Sequence, residues 1–150
     1  MSKNLRNILI TIGLIILSFW IGTRYEKFMN DLEKIGKPVY NREQIYFPDK
    51  KETIYLKSKN WGLTGDHKIT VISTNPDYEF YPDSISEYIF HGFGGLIYKK
   101  SNDTLYIYDG QSPKKPTNFD SKINIVIEKT QGREWRNLDD KIKNDYRKFE

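Results

Sequence analysis

Residues 7 to 23, NILITIGLIILSFWIGT, form an unbroken run of seventeen positions without a charge. A helix of that length rises roughly 25 Å, close to the thin limit for crossing a hydrocarbon core of about 30 Å. Trp20 falls near one end, where an indole suits the bilayer interface. The pattern predicts a transmembrane anchor over 7–23, preceded by a short basic tail, 1–6, that carries Lys3 and Arg6. A cleaved secretory signal is the competing reading, with a buried soluble helix a distant third. Cleavage needs small residues at the last and third-last positions before the cut. A cut after Gly22 puts Trp20 at the third-last position, and a cut after Trp20 puts the indole at the last. Neither fits a small-residue pocket, so the uncleaved anchor is preferred.

The helical period continues past the apolar run. Tyr25, Phe28, Met29, Leu32 and Ile35 recur at spacings of three and four and give one apolar face. Gly36, Lys37 and Pro38 then break the helix, which predicts a juxtamembrane helix or stalk over 24–38. The face over 24–35 either packs on the following domain or forms a short self-association seam. It is too short for an established coiled coil.

From residue 39 the period shortens. TIYLKS (53–58) sets Ile54 and Leu56 on one face, and KITVIST (68–74) is rich in β-branched residues. SEYIF (86–90) alternates Tyr88 and Phe90 against Glu87 and Ile89. GLIYKK and TLYIYD, joined by SND, read as a hairpin over 95–109. Read across a turn of those three residues, Ile97 shares a face with Leu105 and Ile107, and Tyr98 shares the other with Tyr106 and Tyr108. INIVIEK (123–129) turns Ile123, Ile125 and Ile127 one way. At the end of the chain Trp135, Leu138, Ile142, Tyr146 and Phe149 return to helical spacing and predict an amphipathic helix docked on the sheet. The expected fold class is α+β. An N-terminal transmembrane helix leads to a small β-rich domain over 39–150, with a mainly antiparallel sheet of about five or six strands and a C-terminal helix.

Composition changes this picture in two ways. The absence of cysteine excludes thiol catalysis, zinc–thiolate sites, iron–sulfur clusters and a lipid-modified terminus. The net charge is +4, of which Lys3 and Arg6 supply two, leaving +2 beyond the apolar run. The remaining bases are interleaved with acids, as in DKKE, YKKSND and KIKNDYRK, rather than gathered in a stripe, so no nucleic-acid partner is expected. Bases counted near the apolar run (Arg24, Lys27, Lys34 and Lys37 after it) outnumber those before it, but acids are mixed among them. Long domains also translocate largely regardless of charge. The tail is expected inside and the domain in an extracytoplasmic compartment, in a single-pass membrane protein.

Candidate chemistry is sparse. His67 and His91 sit in glycine-containing turns, and with Asp66 they are candidates for a binding site or an acid/base pair. No metal-ligand spacing surrounds them, and neither a metal nor a cofactor is expected. GFGG at 92–95 is followed by a strand rather than a helix, so it reads as a tight turn and not a phosphate cradle. Asp77, Glu79 and Asp83 lack the glycine and ligand spacing of a calcium loop and read as a Pro-Asp turn. The loop from Asp109 to Asp120 is long enough to be functional or disordered. Trp61, in WGLTGD, either plugs the core or offers an aromatic contact to a sugar or a partner protein.

The stretch WGLTGDHKITVIS, followed by GGLIYKK and DTLYIYD, resembles a pattern in small, often membrane-anchored bacterial proteins of uncharacterised function, across roughly residues 53 to 109. The resemblance implies a bacterial source and one β module, and it transfers no catalytic residue. The expected function is a membrane-anchored extracytoplasmic binding or protein-interaction module. Its binding residues are drawn from Trp61, Asp66, His67 and His91, and its expected partners are the bilayer through 7–23 and an envelope protein, or a second copy through 24–35. The alternative is a small envelope hydrolase that uses carboxylates and one of the histidines.

Overall fold

The structure is a computed structural model. It describes residues 3–34, 37–62, 67–92, 95–110, 112–130 and 145–150, without the side chains of 5, 6, 8, 9, 33 and 34. The chain divides into two units, 1–37 and 38–150. It is an α+β protein with one N-terminal helix followed by β-sheets of mixed pairing.

The first unit is helix α1, Lys3–Lys34, continuous through the two segments that the sequence separates. Ile10, Leu14, Ile15, Ile16, Leu17, Phe19, Trp20 and Ile21 are each more than half exposed. Successive positions among them point all round the helix, so no single face carries the apolar surface. Thr11 and Thr23 turn their hydroxyls back onto the carbonyls of Asn7 and Trp20, at 3.0 and 2.9 Å. Tyr25, Phe28, Met29 and Leu32 are exposed further along. Among the described residues no helix is long and apolar enough to cross a membrane. The fold therefore establishes the helix over the expected span 7–23 and not its passage through a bilayer.

The second unit contains eight strands among the described residues, arranged as two four-stranded sheets. The first sheet is an antiparallel meander of β1 (Val39–Phe47), β2 (Glu52–Trp61), β3 (His67–Ser73) and β4 (Tyr88–His91). The second has the order β7-β6-β5-β8. Its strands are β5 (Leu96–Ser101), β6 (Thr104–Asp109), β7 (Asn124–Lys129) and β8 (Arg147–Phe149). Ile45, Phe47, Ile54, Leu56, Ile72, Tyr88 and Phe90 from the first sheet form one core with Leu96, Tyr98, Leu105, Ile107 and Phe149 from the second. Ile123, just ahead of β7, closes the same cluster, and Ile125 and Ile127 pack against it.

Four expectations change. The sheet of five or six strands is two sheets, because β1 and β8 join the six strands that the sequence marks. The hairpin faces are reversed. Ser101 pairs with Thr104, so the turn has two residues, and Tyr98 lies opposite Ile107 while Ile97 lies opposite Tyr108. A slip of one residue moves every side chain to the other face, which brings Tyr98 into the core beside Leu105 and Ile107. The long loop after Asp109 is a crossover: it carries the chain back so that β7 runs parallel to β6. Finally, Tyr146 and Phe149 are not helical. Asp145 is left-handed at φ 65°, which no helix continues through, and β8 then pairs antiparallel with β5. Trp135, Leu138 and Ile142 lie outside the described residues.

Two glycines of the GFGG run have backbone reasons for being glycine. Gly92 sits at φ 116°, and a Cβ on Gly95 would run into the Phe149 carbonyl oxygen.

Candidate functional site

Strand register fixes which side chains share the face of the first sheet that points away from the core. Trp61 lies opposite His67. The next row runs Tyr40, Lys59, Ile69 and His91 across all four strands, and the row after it Arg42, Lys57, Val71 and Ile89. Three of the four residues singled out in the sequence, Trp61, His67 and His91, thus meet at one end of one face. Asp66 lies outside the described residues. The Trp61 and His67 rings are 5.7 Å apart between centroids, Trp61 is half-buried, and both histidines are exposed. Trp61 is not part of the core cluster.

Sequence reasoning missed the cation that organises this end. The Lys59 ammonium stands over three rings, Tyr40 at 5.6 Å, Trp61 at 5.6 Å and Tyr81 at 5.0 Å. Each contact is a cation–π attraction that strengthens as water is excluded. Only Trp61 of the four was visible as a candidate. Lys59 reads as one more solvated base, and Tyr81 arrives from the connection between β3 and β4.

That connection, residues 74–87, crosses the same face as a strap. Tyr78 donates its hydroxyl to the Tyr40 carbonyl, and Arg42 donates to the carbonyl of Pro76. Phe80 is buried edge-on to Tyr40, at 5.9 Å, and covers Lys57 at 4.9 Å. Lys57 is fully buried and pairs with buried Glu87 at 3.4 Å. The second Glu87 oxygen accepts from the Asp83 amide. Asp83 in turn accepts from Ile85 N and Ser86 Oγ, which holds its carboxyl below the usual carboxylate range. Of the three acids expected in a Pro-Asp turn, Asp83 therefore holds the turn with its carboxylate. A cleft of about 350 Å³ lies between Lys57 and the strap.

A second cleft, of about 310 Å³, opens beside β1 and is lined by Tyr98, Lys100, Asp145 and Arg147 among others. The Tyr98 hydroxyl donates to Glu43. Burial, with the Glu43 carboxylate assisting, pushes Tyr98 up to about 12, while Arg147 acts in the opposite direction. A phenol this hard to ionise is a structural hydrogen-bond donor at neutral pH. Tyr108 is likewise raised, first by burial and then by bonds to Glu128 and Tyr146.

Neither histidine lines either cleft. Among the described residues no group of three His, Cys, Asp or Glu side chains is placed to hold a metal. The arrangement offers aromatic rings and fixed positive charge on a sheet face, which is chemistry for binding. Comparison of the chain with protein-family models, curated proteins and solved structures gives no match.

Proposed function

We propose that the chain is a membrane-anchored binding module. Its β domain sits outside the cytoplasm and engages an envelope protein through the Trp61 end of the first sheet. The observation that supports binding is the Lys59 ammonium set among the Tyr40, Trp61 and Tyr81 rings, with His67 against Trp61, on the outer face of the first sheet. Tryptophan and tyrosine are enriched where proteins make contacts of high energy per residue. The anchor rests on the seventeen uncharged residues of 7–23 and on the apolar side chains that α1 exposes in every direction. Hydroxyls folded back onto the helix leave few polar groups seeking water, and Arg24 stacked 5.2 Å from Trp20 suits an interfacial boundary. The apolar face of 24–32 provides a surface for pairing with a second copy.

A photoreactive phenylalanine placed at position 67 tests the binding face in native membranes. Irradiation should give one discrete adduct, which Trp61→Ala weakens at least several-fold. The same probe at position 126, exposed on β7 of the other sheet, should give none. Equal adducts from both positions, or none from position 67, would rule this face out.

A further inference from the structure

The strap and the sheet face are complementary residue by residue. Arg42 stands directly opposite Lys57, with Lys59 two positions along the same strand. Cations placed opposite one another destabilise a strand pair. None of the strand residues on this face of the first sheet is acidic. The face itself offers these cations only rings, Tyr55 to Arg42 and Tyr40 and Trp61 to Lys59, and the strap supplies the carboxylate and further rings. Arg42 meets the Tyr78 ring at 5.8 Å and the Pro76 carbonyl. Lys57 meets the Phe80 ring at 4.9 Å and Glu87 at 3.4 Å, and Lys59 meets the Tyr81 ring at 5.0 Å. The strap adds Asp77 and Glu79 beside them.

The fit is incomplete. The Lys57 ammonium is buried, yet it makes no hydrogen bond among the described residues. Its ion pair with Glu87 thus lacks hydrogen-bond geometry, which a buried pair needs if it is to offset its desolvation. The strap contains no strand, and from residue 74 to 82 its contacts with the sheet run through side chains. It can lift without breaking a ladder of hydrogen bonds, as segments of low local stability do.

We propose that the Arg42–Lys57–Lys59 stripe is a recognition surface for an extended peptide segment of a partner protein, one that alternates acidic and aromatic residues. Residues 74–84 occupy the stripe in cis as a displaceable surrogate, ahead of the point where the Ile85 carbonyl accepts from Asn118 N at 2.8 Å. This deepens the binding reading above and rests on it. An incoming segment adds to the Lys57 ammonium a carboxylate in hydrogen-bonding geometry, which Glu87 does not supply. The strap's own sequence, NPDYEFYPDS over 75–84, defines the chemistry the stripe accepts.

The probe is that ten-residue peptide, fluorescently labelled and titrated against the full-length chain in mild detergent. The unsubstituted chain should bind it weakly. Tyr78→Ala with Tyr81→Ala loosens the strap at two exposed positions and should tighten binding about tenfold. Adding Lys59→Glu should remove that gain, as should replacing the peptide's three aromatics with serine. Equal affinity for the unsubstituted and loosened chains would overturn the proposal. So would undiminished binding of the serine peptide, which would mark a plain polyanion site open to acidic glycans. Hydrogen exchange supplies a second readout on the unsubstituted chain. Saturating peptide should speed exchange at residues 77–81, and unchanged exchange at saturation counts against displacement. Loss of these effects while the position 67 adduct persists would remove the strap's role and leave the binding face.

Discussion

Lys57 shows how a single side chain can be overlooked and then dominate a site. In TIYLKS it alternates with Ile54 and Leu56 as a solvent-facing base should, and it does point away from the core. What buries it is a segment some twenty residues away in sequence, and no local pattern carries that information. Glu87 is equally unremarkable in SEYIF. Removing one partner of a buried ion pair costs about 3–5 kcal/mol, because the other charge stays behind. Glu87→Gln should therefore lower the unfolding free energy of the domain by roughly that amount in denaturant titration. Lys57→Met combined with Glu87→Leu, which removes both charges, should recover most of the loss. If Glu87→Gln is neutral, the pair is solvated and the strap does not seal it.

Strands are legible where one face is uniformly apolar. Ile54 and Leu56, Tyr88 and Phe90, and Ile123, Ile125 and Ile127 fall on the faces that alternation assigns. Strand β1 is hidden because its core-facing positions are Asn41, Glu43, Ile45 and Phe47, and its outer ones are Tyr40, Arg42, Gln44 and Tyr46. Polar and apolar residues appear on both sides, so no clean period survives. Strand β8 is three residues long and carries helical spacing inherited from the residues before it. Its contribution can be measured through Gly95, where any Cβ meets the Phe149 carbonyl. Gly95→Ala should push β8 from β5 and lower the thermal midpoint by several degrees, an effect of about 1–3 kcal/mol for overpacking. A variant as stable as the parent chain would mean that β8 contributes little to the second sheet.

At the scale of the whole molecule, the sequence separates an apolar helical segment from a β-rich domain over 39–150, and the structure divides into units 1–37 and 38–150. Composition and alternation indicate the domain's class. The split into two sheets depends on the crossover after Asp109 and on pairing between β5 and the chain's last residues, both long-range events. The Trp61 end of the first sheet is half legible: Trp61, His67 and His91 stand out as residue types, while their sharing one face depends on register. The proposed anchor decides which partners the domain meets, since a domain held at an envelope membrane meets a different set from one free in the cytoplasm. Ser2→Cys and Ser112→Cys, in a chain with no other cysteine, report on each side of it. An impermeant maleimide applied to intact spheroplasts should label position 112 and leave position 2 unlabelled until the membrane is opened. Labelling of position 2 alone would reverse the orientation. Protection of both positions, with the chain recovered in the soluble fraction, would contradict the membrane-anchored binding module itself.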